Sequence, residues 1–136
     1  MTKHEHAEHS FTTAPESIGA ARSFARETLE TWHLSACTDD VQLCVSELAS
    51  NAVTHGARGT VGHGEFQVRI DADEALIRVE VEDGDTLTRP RVRRAADGDT
   101  GGRGMAIVQS LSAAWGCDSQ TPGGKTVWSE FRTAAA

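Results

Sequence analysis

Residues Val41 to His55 read VQLCVSELASNAVTH, and the fold turns on where three polar residues of this stretch point. Glu47, Asn51 and His55 recur at i, i+4 steps, the spacing of one helical face. At ~100° per residue, with Glu47 at zero, Val41, Cys44, Val45, Leu48 and Ala52 gather between roughly +60° and +160°. On the same projection Asn51 falls near roughly +40° and His55 near roughly +80°. The carboxylate and the amide therefore border the apolar stripe, whereas an ordinary surface helix holds such groups on its far side. Polar groups at the rim of a buried face need partners. A ligand or a metal ion is one such partner; a solvated helix margin is the plainer alternative.

Around this helix the chain has 136 residues, the length of one domain with a real core. Its hydrophobic content of 38% and charged content of 24% are those of an ordinary soluble protein. A formal net charge of −7 argues against direct nucleic-acid binding. No apolar run approaches the ~20 residues of a membrane span, and the polar start MTKHEHAEHS has no apolar core of a secretory signal. Cys37, Cys44 and Cys117 are odd in number and lack metal-ligand spacing; Cys44 falls on the apolar side of its helix and reads as a small core residue. These features lead us to expect a cytoplasmic protein. His4, His6 and His9 are expected in a disordered polar tail over residues 1–9, with a single domain over 10–132 and a second tail over 133–136.

Ser10 to Ala14 suits a short edge strand. Pro15-Glu16 opens a helix whose stripe Ile18, Ala21, Ala25, Leu29, Trp32 runs to about Leu34. Thr38 is the expected N-cap of the next helix, with Asp39 and Asp40 in its first turn, and Gly56 its stop. A glycine-rich loop follows over 57–64. Glu65–Asp71 and Ala75–Glu82 alternate apolar and polar residues and are joined by a short acidic turn, as in an antiparallel hairpin. Residues 83–102 are polar and irregular, Met105–Leu111 suits a helix, and strands are expected over Ala114–Ser119 and Thr126–Arg132, joined through a Thr-Pro-Gly-Gly turn. The order predicts an α+β fold, a two-layer α/β sandwich with helices on one face of a mostly antiparallel, mixed sheet.

Three places carry chemistry. On the central helix, the Asn51 oxygen and the Glu47 carboxylate are hard ligands suited to Mg²⁺ or an ordered water, and Glu47 can take a proton from a hydroxyl. Asp83 stands where an alternating strand ends, before Gly84, and can accept from an exocyclic amine; a simple Asp-Gly turn is the competing reading. Gly98-Asp-Thr-Gly-Gly-Arg-Gly104 runs directly into a helix, so backbone N–H groups, a helix N-terminus and the Arg103 guanidinium converge on one spot, good chemistry for a di- or triphosphate. Gly123-Gly124-Lys125-Thr126 imitates the end of a P-loop, but the first glycine of that motif falls on Ser119 and a strand follows instead of a helix. Lys125 and Thr126 are kept as ligand contacts from a strand edge.

Glu47-x-x-x-Asn51, Asp83-Gly84 after a strand, Gly101-Gly102-Arg103-Gly104-Met105 and Gly124-Lys125-Thr126 follow one another in this order. In this the chain resembles the GHKL ATPase superfamily, with its Bergerat ATP-binding fold and histidine-kinase-like ATPase domain. Within it the chain is most similar to small single-domain bacterial kinases related to anti-sigma factors. The resemblance spans about Phe11 to Phe131. It implies ATP and Mg²⁺ as cofactors. Asn51 matches the Mg²⁺-binding asparagine, Glu47 the general base, Asp83 the aspartate that contacts the adenine amine, and Gly102, Arg103 and Gly104 the second glycine box around the phosphates. Thr126 matches a strand threonine near the adenine, and His55 extends the first motif at the pocket rim. The chain departs from the pattern after Asp83-Gly84-Asp85, where Thr-Leu-Thr-Arg-Pro replaces a second downstream glycine.

What the resemblance implies is an anti-sigma-factor serine/threonine kinase that phosphorylates a serine on a small antagonist protein and so controls a sigma factor. Those two proteins are its expected partners, and the resemblance suggests a homodimer. The alternative is an ATP-binding regulatory module with little or no kinase activity, whose partner affinity follows nucleotide occupancy. A histidine kinase's catalytic part is the weaker expectation, because His33, near the end of the first helix, reads as a surface residue and not as a phosphoacceptor.

Overall fold

A computed structural model describes residues 4–55, 64–83, 103–118 and 125–133. Their elements run β1 (Glu5–Thr12), α1 (Glu16–Thr31), α2 (Thr38–His55), β2 (Glu65–Ala72), β3 (Leu76–Asp83), α3 (Arg103–Leu111), β4 (Ala114–Asp118) and β5 (Lys125–Arg132). The five strands form one sheet in the order β1-β2-β3-β5-β4. With the helices packed against that sheet, the domain is the expected two-layer α/β sandwich. A mixed sheet was expected; among the described residues every pairing is antiparallel. The reason is topological: β2–β3 is a hairpin, and β5 returns between β3 and β4, antiparallel to both.

Period-two alternation builds the interface between the layers. Phe66, Val68, Ile70 and Ala72 of β2, and Ile77, Val79 and Val81 of β3, are buried, and the register sets Val68 against Val81 and Ile70 against Val79. Cross-strand apolar pairs of this kind are the unit of sheet stabilisation. Val127 and Phe131 of β5 extend the surface, and α1 covers it with Ala21, Ala25 and Leu29, α2 with Val41, Cys44, Val45, Leu48, Ala49 and Ala52, and α3 with Met105 and Val108. A buried Leu or Val contributes about 1.5–3 kcal/mol, so the stripe that frames Glu47 and Asn51 is also what fastens α2 to the sheet. Burial pushes the Cys44 thiol up to about 11, which makes it the inert core residue expected of its helical position.

The opposite sheet face is charged. Arg69 donates to Glu80 at 3.0 Å and to Glu82 at 2.8 Å, and Arg78 donates to Glu80 at 3.0 Å and to Glu130 at 2.9 Å. Arg78 also lies 4.3 Å above the Trp128 ring. Burial alone would raise the Glu80 carboxyl, but hydrogen bonds from both arginines outweigh it and hold the group below its ordinary value. At the β2–β3 turn, the Asp73 carboxylate accepts from the backbone N–H of Ala75 at 2.7 Å and of Leu76 at 2.8 Å, which also lowers its pKa.

Four local expectations change. The disordered tail expected over 1–9 is strand from Glu5 onward, and the edge strand expected at Ser10–Ala14 is Glu5–Thr12. β2 offers a full row of backbone partners, from Glu5 opposite Ala72 to Thr12 opposite Glu65, and an edge strand needs only a few apolar anchors. Phe11 supplies one by stacking on Phe66, with ring centroids 5.4 Å apart. His6 supplies a polar one, its Nδ1 lying 2.7 Å from the Asp71 carboxylate; that hydrogen bond raises the His6 pKa. The first helix stops at Thr31, short of Leu34. His33 there takes φ 59°, with His33 N–H on Glu30 O and Leu34 N–H on Leu29 O, the bonds of a Schellman C-cap. Thr38 is not an N-cap: its backbone is already helical, continuing the 3-10 turn Ser35–Cys37, and its buried hydroxyl has no partner among the described residues. The glycine-rich loop (57–63), the irregular stretch from Gly84 to Gly102, the Thr-Pro-Gly-Gly turn and the C-terminal tail beyond Thr133 lie outside the described residues.

Candidate functional site

The helix α2 adjoins both α3 and β3, and the sequence-predicted polar residues divide between these neighbours. On the α3 side, Asn51 is half-buried and its Nδ2 donates to Met105 Sδ at 3.4 Å. Met105 is buried at the start of α3, so this contact ties the asparagine to the residue that closes the glycine-rich stretch. Glu47, one turn earlier, is likewise half-buried. Both residues therefore sit at the margin of the core stripe, as the helical projection requires, and not on a fully solvated face.

On the sheet side, β3 ends beside the start of β5. Asp83 faces Lys125 in the antiparallel register, and Lys125 Nζ lies 4.0 Å from Asp83 Oδ2. Both are sunk in the domain, Asp83 at 4% and Lys125 at 3% exposure. Directly paired residues project to the same face. Asp83 follows Ile77, Val79 and Val81 by twos, and Lys125 precedes Val127, Ser129 and Phe131 by twos, so this ion pair lies on the helix-covered face. A buried carboxylate and ammonium at the end of a strand pair are costly unless their polar capacity is used.

The chain between Phe11 and Phe131 matches the family model of the histidine kinase-like ATPase domain, residues 11–131. The chain belongs to this family. A search among curated proteins returns no match. This histidine kinase-like ATPase domain is an ATP-binding domain of the GHKL superfamily, and its five-stranded antiparallel sheet with helices on one face is the architecture that the family implies. No helix among its described residues is long and apolar enough to cross a membrane.

Within this ATPase domain Asn51 stands on α2, and its partner Met105 and the pair Asp83–Lys125 stand on elements that α2 touches. Arg103 and Gly104 open α3. Gly84, Gly101 and Gly102 lie outside the described residues, as do the side chains of His55 and Arg103. Thr126 is buried at 6% exposure, but it pairs with Glu82, whose carboxylate binds Arg69 on the open face. The threonine is therefore directed away from the face that carries Asp83. The register gives the face shared with Asp83 to Lys125. The signal was available in the alternation of β5, because Phe131, Ser129 and Val127 inward make Lys125 inward too. The Met105 sulfur, in contrast, was not legible as a partner of Asn51, since that contact depends on how α3 docks.

Proposed function

We propose that this ATPase domain is an Mg-ATP-dependent serine/threonine kinase of the anti-sigma type, which phosphorylates a serine on a small antagonist protein and so controls a sigma factor. What supports the reading is that Glu47 and Asn51 lie on the half-buried margin of α2, a helix that packs on α3 and β3, with Asn51 on Met105 at the start of α3. Bound ATP supplies the transferable phosphoryl group, and Mg²⁺ neutralises its charge.

The residues fit that group chemically. The Asn51 amide turns its nitrogen toward the Met105 sulfur, which gives its oxygen, the hard ligand, to Mg²⁺. Glu47, held one turn away, orients the acceptor hydroxyl and takes its proton. Asp83 accepts the exocyclic amine of adenine, and its burial excludes water from that contact. Arg103 and the backbone N–H groups at the start of α3, with Gly101, Gly102 and Gly104, hold the phosphates, since a helix N-terminus favours anions. Gly84 allows the base to approach the end of β3, and His55 stands at the rim.

The test is phosphoryl transfer from radiolabelled ATP to a candidate antagonist. Transfer to serine by the wild type, lost in Glu47→Ala while Mg-ATP affinity is kept, is the expected result. Full transfer by Glu47→Ala removes that residue as the base. Tight Mg-ATP binding with no transfer to any antagonist gives the protein to the other reading, a regulatory module whose partner affinity follows nucleotide occupancy.

A further inference from the structure

We propose that the outer edge of β1 is an interface between two copies of this chain. The two β1 strands pair antiparallel about a two-fold axis that sets Ala7 against Ala7 of the second copy, and His6 of each copy against Glu8 of the other. The proposal is independent of the ATP-site reading.

The backbone offers the edge. Among the described residues β1 closes one end of the sheet and pairs with β2 alone. Its register runs unbroken from Glu5 opposite Ala72 to Thr12 opposite Glu65. A strand in that position presents a row of N–H and C=O groups that can template another strand. Proteins blunt such edges with lysine, proline or a bulge, and Glu5–Thr12 holds none of these.

The side chains say which strand fits. Directly opposite residues share a face, so two rows can be followed across the open face of the sheet. One runs Glu130, Arg78, Asp71, His6 through β5, β3, β2 and β1; the next runs Glu80, Arg69, Glu8 through β3, β2 and β1. The sign of charge alternates at every step. The first row ends in an imidazole whose Nδ1 lies 2.7 Å from the Asp71 carboxylate, a bond that raises the His6 pKa and favours the charged ring. The second ends in a carboxylate. These two end groups are 45% and 51% exposed and only loosely matched to each other within the chain, at 3.9 Å.

A two-fold that pairs a strand with itself antiparallel passes through a residue facing its own copy. With the axis at Ala7, each row continues into the other row of the second copy: Glu130, Arg78, Asp71, His6, then Glu8, Arg69, Glu80. The alternation is unbroken, and the like side chains brought together at the axis are small and apolar. An axis at Glu8 would oppose two carboxylates, and one at His6 two imidazoles; like charges directly opposite are destabilising. The edge is thus complementary to itself in one register, which is what a two-fold interface requires.

The experiment is sedimentation equilibrium of the full chain, of Glu8→Lys and of His6→Glu. The wild type should dimerise reversibly. Each variant alone should dimerise about tenfold or more weakly, since two opposite-charge pairs become like-charge pairs. An equimolar mixture of the two should recover the wild-type affinity, because the new ammonium of one chain then faces the new carboxylate of the other. Amide exchange needs no variant: the β1 segment of the wild type should exchange more slowly as concentration rises through the dimer Kd. A wild type that stays monomeric at its highest soluble concentration overturns the proposal. A dimer whose β1 amides exchange at the monomer rate, or whose affinity ignores both substitutions, overturns it by placing the contact elsewhere. Folded variants whose mixture recovers nothing overturn the register.

Discussion

Replacing Asn51 by alanine separates what this side chain does for the fold from what it does for a ligand. In the fold, Asn51 is half-buried and gives its Nδ2 to the Met105 sulfur at 3.4 Å. A thioether is a weak acceptor, so losing that bond costs less than about 1 kcal/mol, and alanine regains a few tenths as the better helix former. Unfolding entropy near ~2.1 cal/mol/K per residue over 136 residues makes a degree of Tm worth about 0.3 kcal/mol. The ligand-free variant should therefore melt within about 3 °C of the wild type. The ligand arm is larger. Nucleotide at a hundred times its Kd stabilises the wild type by about 2.7 kcal/mol, a rise of about 9 °C. Removal of a metal ligand that weakens binding at least tenfold takes away at least about 1.4 kcal/mol at the same nucleotide concentration, about 5 °C of that rise. The assay is thermal unfolding of both proteins with and without Mg-ATP. If Asn51→Ala gains the same shift as the wild type, the assignment of Asn51 to the metal is refuted.

Three further outcomes follow from packing and charge. Because the Glu80 carboxyl is held below its ordinary value by Arg69 and Arg78, the stability it adds is present above the ordinary Glu range of about 4.3 and is lost as pH falls through the lowered folded value; urea titrations should show Glu80→Gln costing about 1–2 kcal/mol at pH 7 and flattening the acid-side slope, and an unchanged slope contradicts the pairing of Glu80 with both arginines. His33→Gly should stabilise the domain by about 0.5–1 kcal/mol, since His33 closes α1 at φ 59°, where glycine carries no Cβ penalty; a loss of stability in chemical denaturation would count against that C-cap. A Cβ on Gly116 would stand 2.6 Å from Cζ2 of Trp128, whose ring also carries Arg78, so Gly116→Ala should destabilise by about 1–3 kcal/mol, and an unaltered denaturation midpoint would show that the indole moves aside freely.

The fold was largely legible because its signals are local. Alternation over Glu65–Asp71 and Ala75–Glu82 places the β2–β3 hairpin within a residue at each end, and the stripe of α2 carries through to the buried set Val41, Cys44, Val45, Leu48 and Ala52. What escaped depends on partners distant in sequence. The stretch from Glu5 to His9 is polar and reads as a tail; it is strand because β2 offers an unfilled edge, and no local pattern announces that. Thr38 carries the right chemistry for an N-cap, but the preceding 3-10 turn had already fixed its backbone as helical. In the site, Asn51 and Glu47 were placed by helical periodicity alone. Lys125 and Thr126 take opposite faces of β5, which the motif match does not distinguish although the alternation of the strand does. The pairing of β3 with β5 puts Lys125 on the face of Asp83.

The most direct test of the central account is a calorimetric titration of the wild-type chain and of Asp83→Asn with Mg-ATP and with inorganic triphosphate. A nucleotide site whose base end is Asp83 predicts saturable binding of Mg-ATP by the wild type and a loss of affinity in Asp83→Asn that is larger for ATP than for triphosphate. An absence of saturable Mg-ATP binding at millimolar nucleotide, or an equal loss for both ligands, would contradict it.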